Sequence, residues 1–376
     1  MRKKLMKTTI ILCGILCVSF VLMGCWDQRL LKDSSLILGI GIDLTKHKQI
    51  EQTFLYPRSI KGPNPHQETL SASAIGDTSR NAKAHADQKI ADRFDASKNR
   101  FFLFGKDSAR QGIYSTLDVI YRDAKGPSNA KVAIVNGRAK DALSLRIKET
   151  SLSSEYYPKL LHSAEEVGLI QNQTVQSVCS IIFAEGQDLM LPYLDLLKSE
   201  KRAYLTGLAM FHHDKLVGHL EIKESRVFLL LNGYKSKHQS LTLRVSNKES
   251  IRDRNFINIE ILQVKTTPTI FVTNGKVKVN LHVNLKLGIN EYANDHLHNQ
   301  KNIQTLNRRI NKELTHLANK TISKVQKVNC DGLGIGQRLQ AYHPTEWKHI
   351  NWETTYPHIP ITVHINNKII QHGIID

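Results

Sequence analysis

Apolar side chains occupy every second position from Val277 to Ile289, and polar or small residues fill the positions between them. Successive side chains of a β-strand point to opposite faces, so this pattern predicts one long strand with a buried face and a solvated face. Residues 257–264 and 361–365 are also rich in apolar residues and are its expected neighbours. Such a sheet needs a second layer over its apolar face. This requirement restricts the fold more than any other feature of the sequence does.

The segment that follows can supply that layer. Residues 303–325 carry apolar side chains at helical spacing, with basic and amide residues on the opposite side. The apolar stripe consists of Ile303, Leu306, Ile310, Leu314, Leu317, Thr321 and Val325. We therefore predict a long amphipathic helix that covers the C-terminal sheet. The predicted fold class is α+β, with several subdomains built on mixed or antiparallel sheets.

The rest of the chain predicts short strands and helices in alternation. Strands are predicted at residues 36–43, 52–56, 100–105 and 131–136, with a turn at 45–49 and a Pro/Gly loop at 57–65. Helices are predicted at residues 77–95, 113–121, 139–148, 151–167 and 221–231. Pro158 is expected to break or restart the fourth of these helices. Residues 205–218 predict a β-hairpin with Asp214 and Lys215 in its turn.

The first 24 residues have the pattern of an export signal. An uncharged, mostly apolar run follows a basic start made of Arg2, Lys3, Lys4 and Lys7. The run is short for a transmembrane helix, which needs about 20 apolar residues. The tetrapeptide that ends at Cys25 resembles a bacterial lipobox, in which the cysteine sulfur takes a diacylglyceryl group and the chain is cut before it. We predict a lipid anchor at Cys25, with an uncleaved anchor or an ordinary secreted protein as the alternatives.

Length and charge narrow the class of protein. The 376 residues suffice for about two or three domains of 100–200 residues each. The formal net charge is +18, of which the first 24 residues contribute +4, so +14 remains after their removal. Basic residues are spread along the chain without an Arg-rich block, which disfavours nucleic-acid binding. A basic surface beside an anionic bilayer is attracted to it, in agreement with a membrane tether.

Glycine-rich segments do not predict a nucleotide site. The glycines Gly332, Gly334 and Gly336 follow a predicted helix, whereas a dinucleotide loop follows a strand, and no Lys-Ser or Lys-Thr pair completes a P-loop. We expect a tight turn there. Gly39 and Gly41 lie inside a predicted strand, where glycine indicates a bulge or a close backbone approach.

Other reactive residues do not form a recognisable set. His212 and His213 fall at the predicted hairpin turn, and His296 and His298 are two apart, so neither pair has the spacing of a helical zinc motif. Cys179 and Cys330 could pair in an oxidising compartment, but nothing near them indicates that they do. No Gly-x-Ser-x-Gly elbow is present. The sequence therefore predicts no catalytic residue, no metal site and no cofactor.

Four segments in order resemble the spore germination Ger(x)C lipoprotein family, the C subunits of nutrient germinant receptors. They are Gly24-Cys25-Trp26-Asp27, residues 38–43, residues 206–218, and residues 331–336 with Glu346-Trp347-Lys348. The residues that carry the resemblance, as structural or partner contacts, are Trp26, Asp27, Gly207, Leu208, Asp214, Gly218, Asp331, Gly334, Gly336 and Trp347. The chain departs from the family at Leu30, where a Glu is usual, and at Gly332, where a Pro is usual.

The resemblance implies a non-enzymatic C subunit that works with integral membrane A and B subunits to start spore germination. It implies a signal peptide at 1–24, germination-protein domains at 25–200 and 201–376, and a lipid anchor with acyl chains such as palmitate. The location would be the extracytoplasmic face of the spore inner membrane. The alternative is a lipid-anchored extracytoplasmic solute-binding protein, which predicts a cleft between two α/β lobes. An enzyme acting on cell-wall material is a third and weaker possibility, because no site supports it.

Overall fold

The computed structural model describes residues 2, 6–9, 12–14, 34–60, 66–91, 93–123, 125–145, 147, 153–294 and 297–371. Cys25, Trp26, Asp27 and His296 lie outside these residues. The strands are β1 (Ser34–Leu36), β2 (Gly39–Leu44), β3 (Ile50–Ile60), β4 (His66–Gly76), β5 (Arg93–Asp95), β6 (Phe101–Gly105), β7 (Lys131–Val135), β8 (Met190–Leu197), β9 (Arg202–His212), β10 (Lys215–Glu221), β11 (Ser240–Arg244), β12 (Phe256–Thr273), β13 (Lys276–Glu291) and β14 (Ile361–Gln371).

The helices lie between these strands. The α-helices span Ser79–Asp87, Lys106–Gln111, Tyr114–Tyr121, Ala139–Leu143, Ser153–Glu166, Val175–Ile182, Ile222–Leu231, Gln300–Lys327, Ile335–Tyr342, Pro344–Trp347 and Trp352–Thr355. Short 3₁₀ helices span Asp253–Asn255 and Tyr356–His358. Among the described residues, no helix is both long enough and apolar enough to cross a membrane.

A mixed eight-stranded sheet forms the first layer, in the order β10-β9-β8-β7-β6-β2-β3-β4. Its centre, from β8 to β2, is parallel, and its two ends are antiparallel. Strand β6 is buried along its whole length, as expected for a parallel strand with both faces covered. Its side chains alternate between two separate cores, with Phe101 and Leu103 in one and Phe102 and Phe104 in the other.

The second sheet has the order β11-β12-β13-β14 and contains the alternating segment. Strand β13 pairs antiparallel with β12 and parallel with β14, so both predicted neighbours are confirmed. The helix Gln300–Lys327 buries its apolar stripe, and its residues Leu306, Leu314 and Val325 share one core with the buried side chains of β13. The predicted α+β class and the helix over the C-terminal sheet are therefore confirmed.

Several local predictions are wrong, and packing explains most of them. The helix predicted at 77–95 ends at Asp87. Phe94 lies instead in β5, where its ring packs 5.2 Å from the rings of Phe54 and Tyr56. Residues 57–60 are strand rather than loop. Pro57 lies beyond the last β3 residue that pairs with β2, at a free edge that tolerates proline.

Two helix predictions also need correction. Pro158 does not break the helix Ser153–Glu166. Tyr157 beside it is fully buried and donates its hydroxyl to the carbonyl of Ala142, and this packing holds the helix across the proline. The helix predicted at 139–148 ends at Leu143.

The first sheet contains residues from both sides of the predicted domain boundary. Strands β9 and β10 follow residue 200, yet β9 pairs with β8 along its length. The division at residue 200 stays a prediction. In space, the hairpin β9–β10 completes the sheet of the preceding half.

Loss of the Leu314 side chain should destabilise the C-terminal layer. Leu314 is fully buried on the helix Gln300–Lys327, so Leu314→Ala is expected to lower the free energy of unfolding by about 2–5 kcal/mol. Asn319→Ala, on the exposed side of the same helix, should change it by less than about 0.5 kcal/mol. Urea unfolding followed by circular dichroism measures both. Equal effects of the two substitutions would contradict the packing described for this helix.

Candidate functional site

Asp331 starts the glycine-rich segment and lies buried at its centre. Its Oδ1 accepts a hydrogen bond from the N–H of Ile335 at 3.0 Å, and its Oδ2 accepts one from the N–H of Gly336 at 2.7 Å. These donors belong to the first turn of the helix Ile335–Tyr342, where backbone N–H groups have no partner within the helix. Gly334 precedes this helix at φ 64°, a left-handed conformation that favours glycine. The predicted tight turn is confirmed, and the helix Ile335–Tyr342 begins directly after it.

Trp352 covers the same carboxylate. Its Nε1–H donates to Asp331 Oδ2 at 3.1 Å. A Cβ on Gly336 would lie 2.4 Å from Trp352 Nε1 and 2.7 Å from the Cα of Gly186, so only glycine fits there. The ring of Trp347 lies 5.7 Å from that of Trp352. Trp347 thus supports the indole that contacts Asp331.

Asp188 connects the glycine-rich segment to the first sheet. Its N–H donates to the carbonyl of Asp331 at 3.0 Å, and its Oδ2 accepts from the N–H of Asp331 at 2.8 Å. Its Oδ1 accepts from the N–H of His213 at 2.7 Å. Asp188 precedes β8, and His213 lies in the turn of the hairpin β9–β10. We call Asp188, Asp331 and Trp352 the aspartate junction, because together they join three distant segments.

Burial governs the electrostatics of the junction. It raises the pKa of Asp331 to about 7, and the N–H donors of Gly336, Ile335 and Trp352 oppose this rise. Asp331 is 2% exposed, so a dissolved substrate cannot reach its carboxylate, and its oxygens already accept hydrogen bonds. The junction is therefore suited to holding segments together.

Cys179 and Cys330 are both free and buried. Burial raises the pKa of the Cys179 thiol to about 11 and that of the Cys330 thiol well above its ordinary value. A buried thiol of high pKa is a poor nucleophile. The pairing that the sequence left open is not present.

The family-motif residues of the hairpin lie at close backbone contacts. A Cβ on Gly207, which has φ 151°, would lie 1.8 Å from the carbonyl oxygen of Leu220. Leu208 is buried, and a Cβ on Gly218 would lie 2.8 Å from Cε of Met210.

Asp214 ties the hairpin to a helix of the preceding half. It accepts the N–H of Tyr114 at 3.2 Å through Oδ2, at the start of the helix Tyr114–Tyr121. The turn itself is His213-Asp214 and not the predicted Asp214-Lys215, because Lys215 already pairs with His212.

A second group lies beside the junction. Glu353 Oε2 lies 2.9 Å from His212 Nε2, and Glu353 Oε1 lies 3.1 Å from His213 Nε2. His212 Nδ1 lies 3.7 Å from Asp188 Oδ2. We call His212, His213 and Glu353 the histidine cluster. The His213 side chain, which lies in the turn, is 66% exposed, but the His212 side chain is only 27% exposed.

Sequence reasoning missed Asp188, Trp352 and Glu353. Asp188 is 143 positions from Asp331 and looks like an ordinary loop residue in the sequence. One signal in the sequence could have pointed to Trp352. It follows the motif residue Trp347 closely in the same polar segment.

The fold and junction define a class of α+β protein with two main sheets, in which a buried aspartate pair fastens a glycine-rich turn to a hairpin of the first sheet. Residues 27–196 match the family model described as the spore germination protein N-terminal domain. Residues 206–373 match the model described as spore germination B3/GerAC like, C-terminal. The chain belongs to this spore germination GerAC family, and the resemblance noted in its sequence is confirmed.

Individual relatives agree over nearly the whole length. The chain is 24% identical over 361 residues to spore germination protein GerQC of Bacillus cereus, covering 96% of this chain and 98% of that protein. It is 22% identical over 386 residues to spore germination protein KC of Bacillus subtilis (strain 168), covering 94% and 93%. The crystal structure of the GerBC protein superposes with a TM-score of 0.59 at 17% identity, covering 92% of this chain and 100% of that one. The fold is therefore shared with GerBC.

The raised pKa of Asp331 predicts a pH-dependent contribution to stability. The folded chain holds this proton more tightly than the unfolded chain, whose Asp pKa is about 3.9. The stabilisation is complete below about pH 4 and is lost as the pH rises through about 7. Asp331→Asn does not titrate, so the stability of the native chain relative to this variant should be greater at pH 5 than at pH 8.

Urea unfolding of both proteins at the two pH values measures this difference, which can reach about 2–3 kcal/mol. Asp253→Asn, at an exposed position, is the matched control and should show no comparable change with pH. A difference between the native chain and Asp331→Asn that is the same at pH 5 and pH 8 would contradict the prediction.

Proposed function

We propose that this chain is the lipid-anchored, non-catalytic C subunit of a nutrient germinant receptor, and that it acts with integral membrane A and B subunits to trigger spore germination. One observation carries the proposal. The two family matches follow each other in order, and the first begins at residue 27, two positions after the lipobox cysteine. That arrangement agrees with a germination protein tethered at its mature N-terminus.

The proposed tether is lipid on Cys25. Two or three acyl chains, at about 0.8 kcal/mol per buried methylene, hold a protein far more firmly than one chain does. After loss of residues 1–24, the remaining charge of +14 favours approach to an anionic bilayer. The proposed location is the extracytoplasmic face of the spore inner membrane, where the tether keeps the chain near its partners at high local concentration.

The aspartate junction supports a docking role over a catalytic one. Its carboxylates accept backbone and indole N–H groups within the protein. The glycine-rich turn is packed against Gly186 and Trp352. The carboxylate oxygens of Asp188 and Asp331 are therefore occupied by contacts within the protein and are not offered to a substrate.

Replacing Cys25 tests the anchor. Cys25→Ala removes the sulfur that would carry lipid, so the chain should be lost from the inner-membrane fraction of spores, and nutrient-triggered germination should be strongly reduced. Cys179→Ala is the matched control. It also removes a thiol, but one that is buried inside the protein and is not the proposed lipid site. It should therefore leave both location and germination unchanged. The measurements are fractionation with immunoblotting and the fall in spore optical density after nutrient addition.

Two outcomes would contradict the proposal. One is normal germination of the Cys25→Ala strain with every nutrient, in a strain that lacks paralogous subunits. The other is failure of the detergent-solubilised chain to co-purify with A and B subunits that are expressed together with it, under conditions in which those two subunits stay together.

A cavity gives the solute-binding alternative a specific test. A space of about 280 Å³ lies beside the first sheet, lined at its base by Phe54, Phe94 and Phe102 and at its edge by Arg80 and Lys83. It lies within one half of the chain, whereas the alternative predicts a cleft between two lobes. Calorimetric titration of the chain alone with candidate nutrients separates the two functions. Tight binding that is lost in Arg80→Ala would favour the alternative.

A further inference from the structure

We propose that His212, His213 and Glu353 form a three-ligand site for a divalent transition-metal ion, of which Zn²⁺ fits best. This inference is independent of the proposed role in germination. Two imidazoles and one carboxylate are a ligand set that zinc sites use, with a fourth position for water or another ligand. Imidazole suits zinc and its transition-metal neighbours, whereas Mg²⁺ and Ca²⁺ prefer sites made of oxygen ligands.

The geometry brings the three ligand atoms to one place. One imidazole nitrogen from each histidine and one carboxylate oxygen of Glu353 all lie within 4.8 Å of one another. Zn–N and Zn–O distances of about 2.0–2.2 Å place the ligand atoms of a tetrahedral site about 3.3–3.5 Å apart. The shortest contacts, 2.9 Å from His212 and 3.1 Å from His213 to Glu353, open to that separation with small side-chain rotations.

A second observation involves the other nitrogen of His212. Its Nδ1 is buried and has no hydrogen-bond partner, although it lies 3.7 Å from Asp188 Oδ2. Histidines that bind metal almost always donate their second ring N–H to a carboxylate, a carbonyl or water. Asp188 is held in place by the N–H groups of Asp331 and His213. Asp188 is therefore positioned to accept a hydrogen bond from Nδ1–H of His212 once His212 Nε2 turns from Glu353 toward an ion.

The surrounding contacts hold Glu353 while leaving access for an ion. Asn329 donates through Nδ2 to the carbonyl of Glu353 at 3.1 Å and to its Oε2 at 3.4 Å. The side chains of His213 and Glu353 are 66% and 50% exposed, so a hydrated ion can reach them from solvent. A bound ion would fasten the helix Trp352–Thr355 to the turn of the hairpin β9–β10, directly beside the aspartate junction.

Zinc titration of the purified full chain tests the site. After treatment with a chelator and its removal, the chain is titrated with Zn²⁺ by calorimetry, and Co²⁺ is added separately to record the visible absorption of a tetrahedral site. We expect one Zn²⁺ per chain and a visible Co²⁺ band. The variants His213→Ala and Glu353→Gln should each weaken binding at least about tenfold, and Asp188→Asn should weaken it about 10–100-fold through the orientation of His212.

Matched controls and a second readout separate binding from folding. His316→Ala and Glu346→Gln replace the same residue types at exposed positions outside the cluster and should leave Zn²⁺ affinity unchanged. Zn²⁺ should also raise the melting temperature of the native chain but not that of the combined His213→Ala and Glu353→Gln variant. The proposal is overturned if the native chain binds no stoichiometric Zn²⁺, or if its affinity equals that of the combined variant while both remain folded.

Discussion

The carboxylate of Asp331 is the centre of the contacts that fasten the glycine-rich turn to the first sheet. It accepts N–H groups from the helix Ile335–Tyr342 and from the indole of Trp352. Its backbone exchanges two hydrogen bonds with Asp188 at the start of β8. A buried carboxylate without such donors would be costly. The need to satisfy it therefore fixes where the glycine-rich turn lies against the first sheet.

The hairpin β9–β10 belongs to the C-terminal family region in sequence and to the first sheet in space. Asp188 holds the backbone of its turn at His213, and Asp214 caps the helix Tyr114–Tyr121 from the other side. These contacts tie residues of both family regions into one hydrogen-bonded unit.

Local patterns in the sequence were sufficient for the elements whose burial follows one clear period. The alternation in β13 and the stripe of the helix Gln300–Lys327 predicted both elements and their packing, because most of their apolar residues are buried as the pattern requires. The family motif also located Asp331, Gly334 and Gly336. Prediction failed where a distant contact outweighed the local signal, as at Phe94 and Pro158. Asp188 and Glu353 could not be found at all, since their roles come from partners more than 100 residues away.

Asp188 links the aspartate junction to the histidine cluster. Its Oδ2 accepts the N–H of Asp331 and also lies 3.7 Å from Nδ1 of His212. A movement of His212 toward Asp188 would therefore bring Nδ1 of His212 closer to Oδ2 of Asp188, the oxygen that also holds the N–H of Asp331 at the glycine-rich turn. Hydrogen bonds that share one acceptor in a buried site influence each other's strength. An ion bound at the histidine cluster would thus change the hydrogen bond that Asp188 accepts from the N–H of Asp331, which is itself out of reach of solvent.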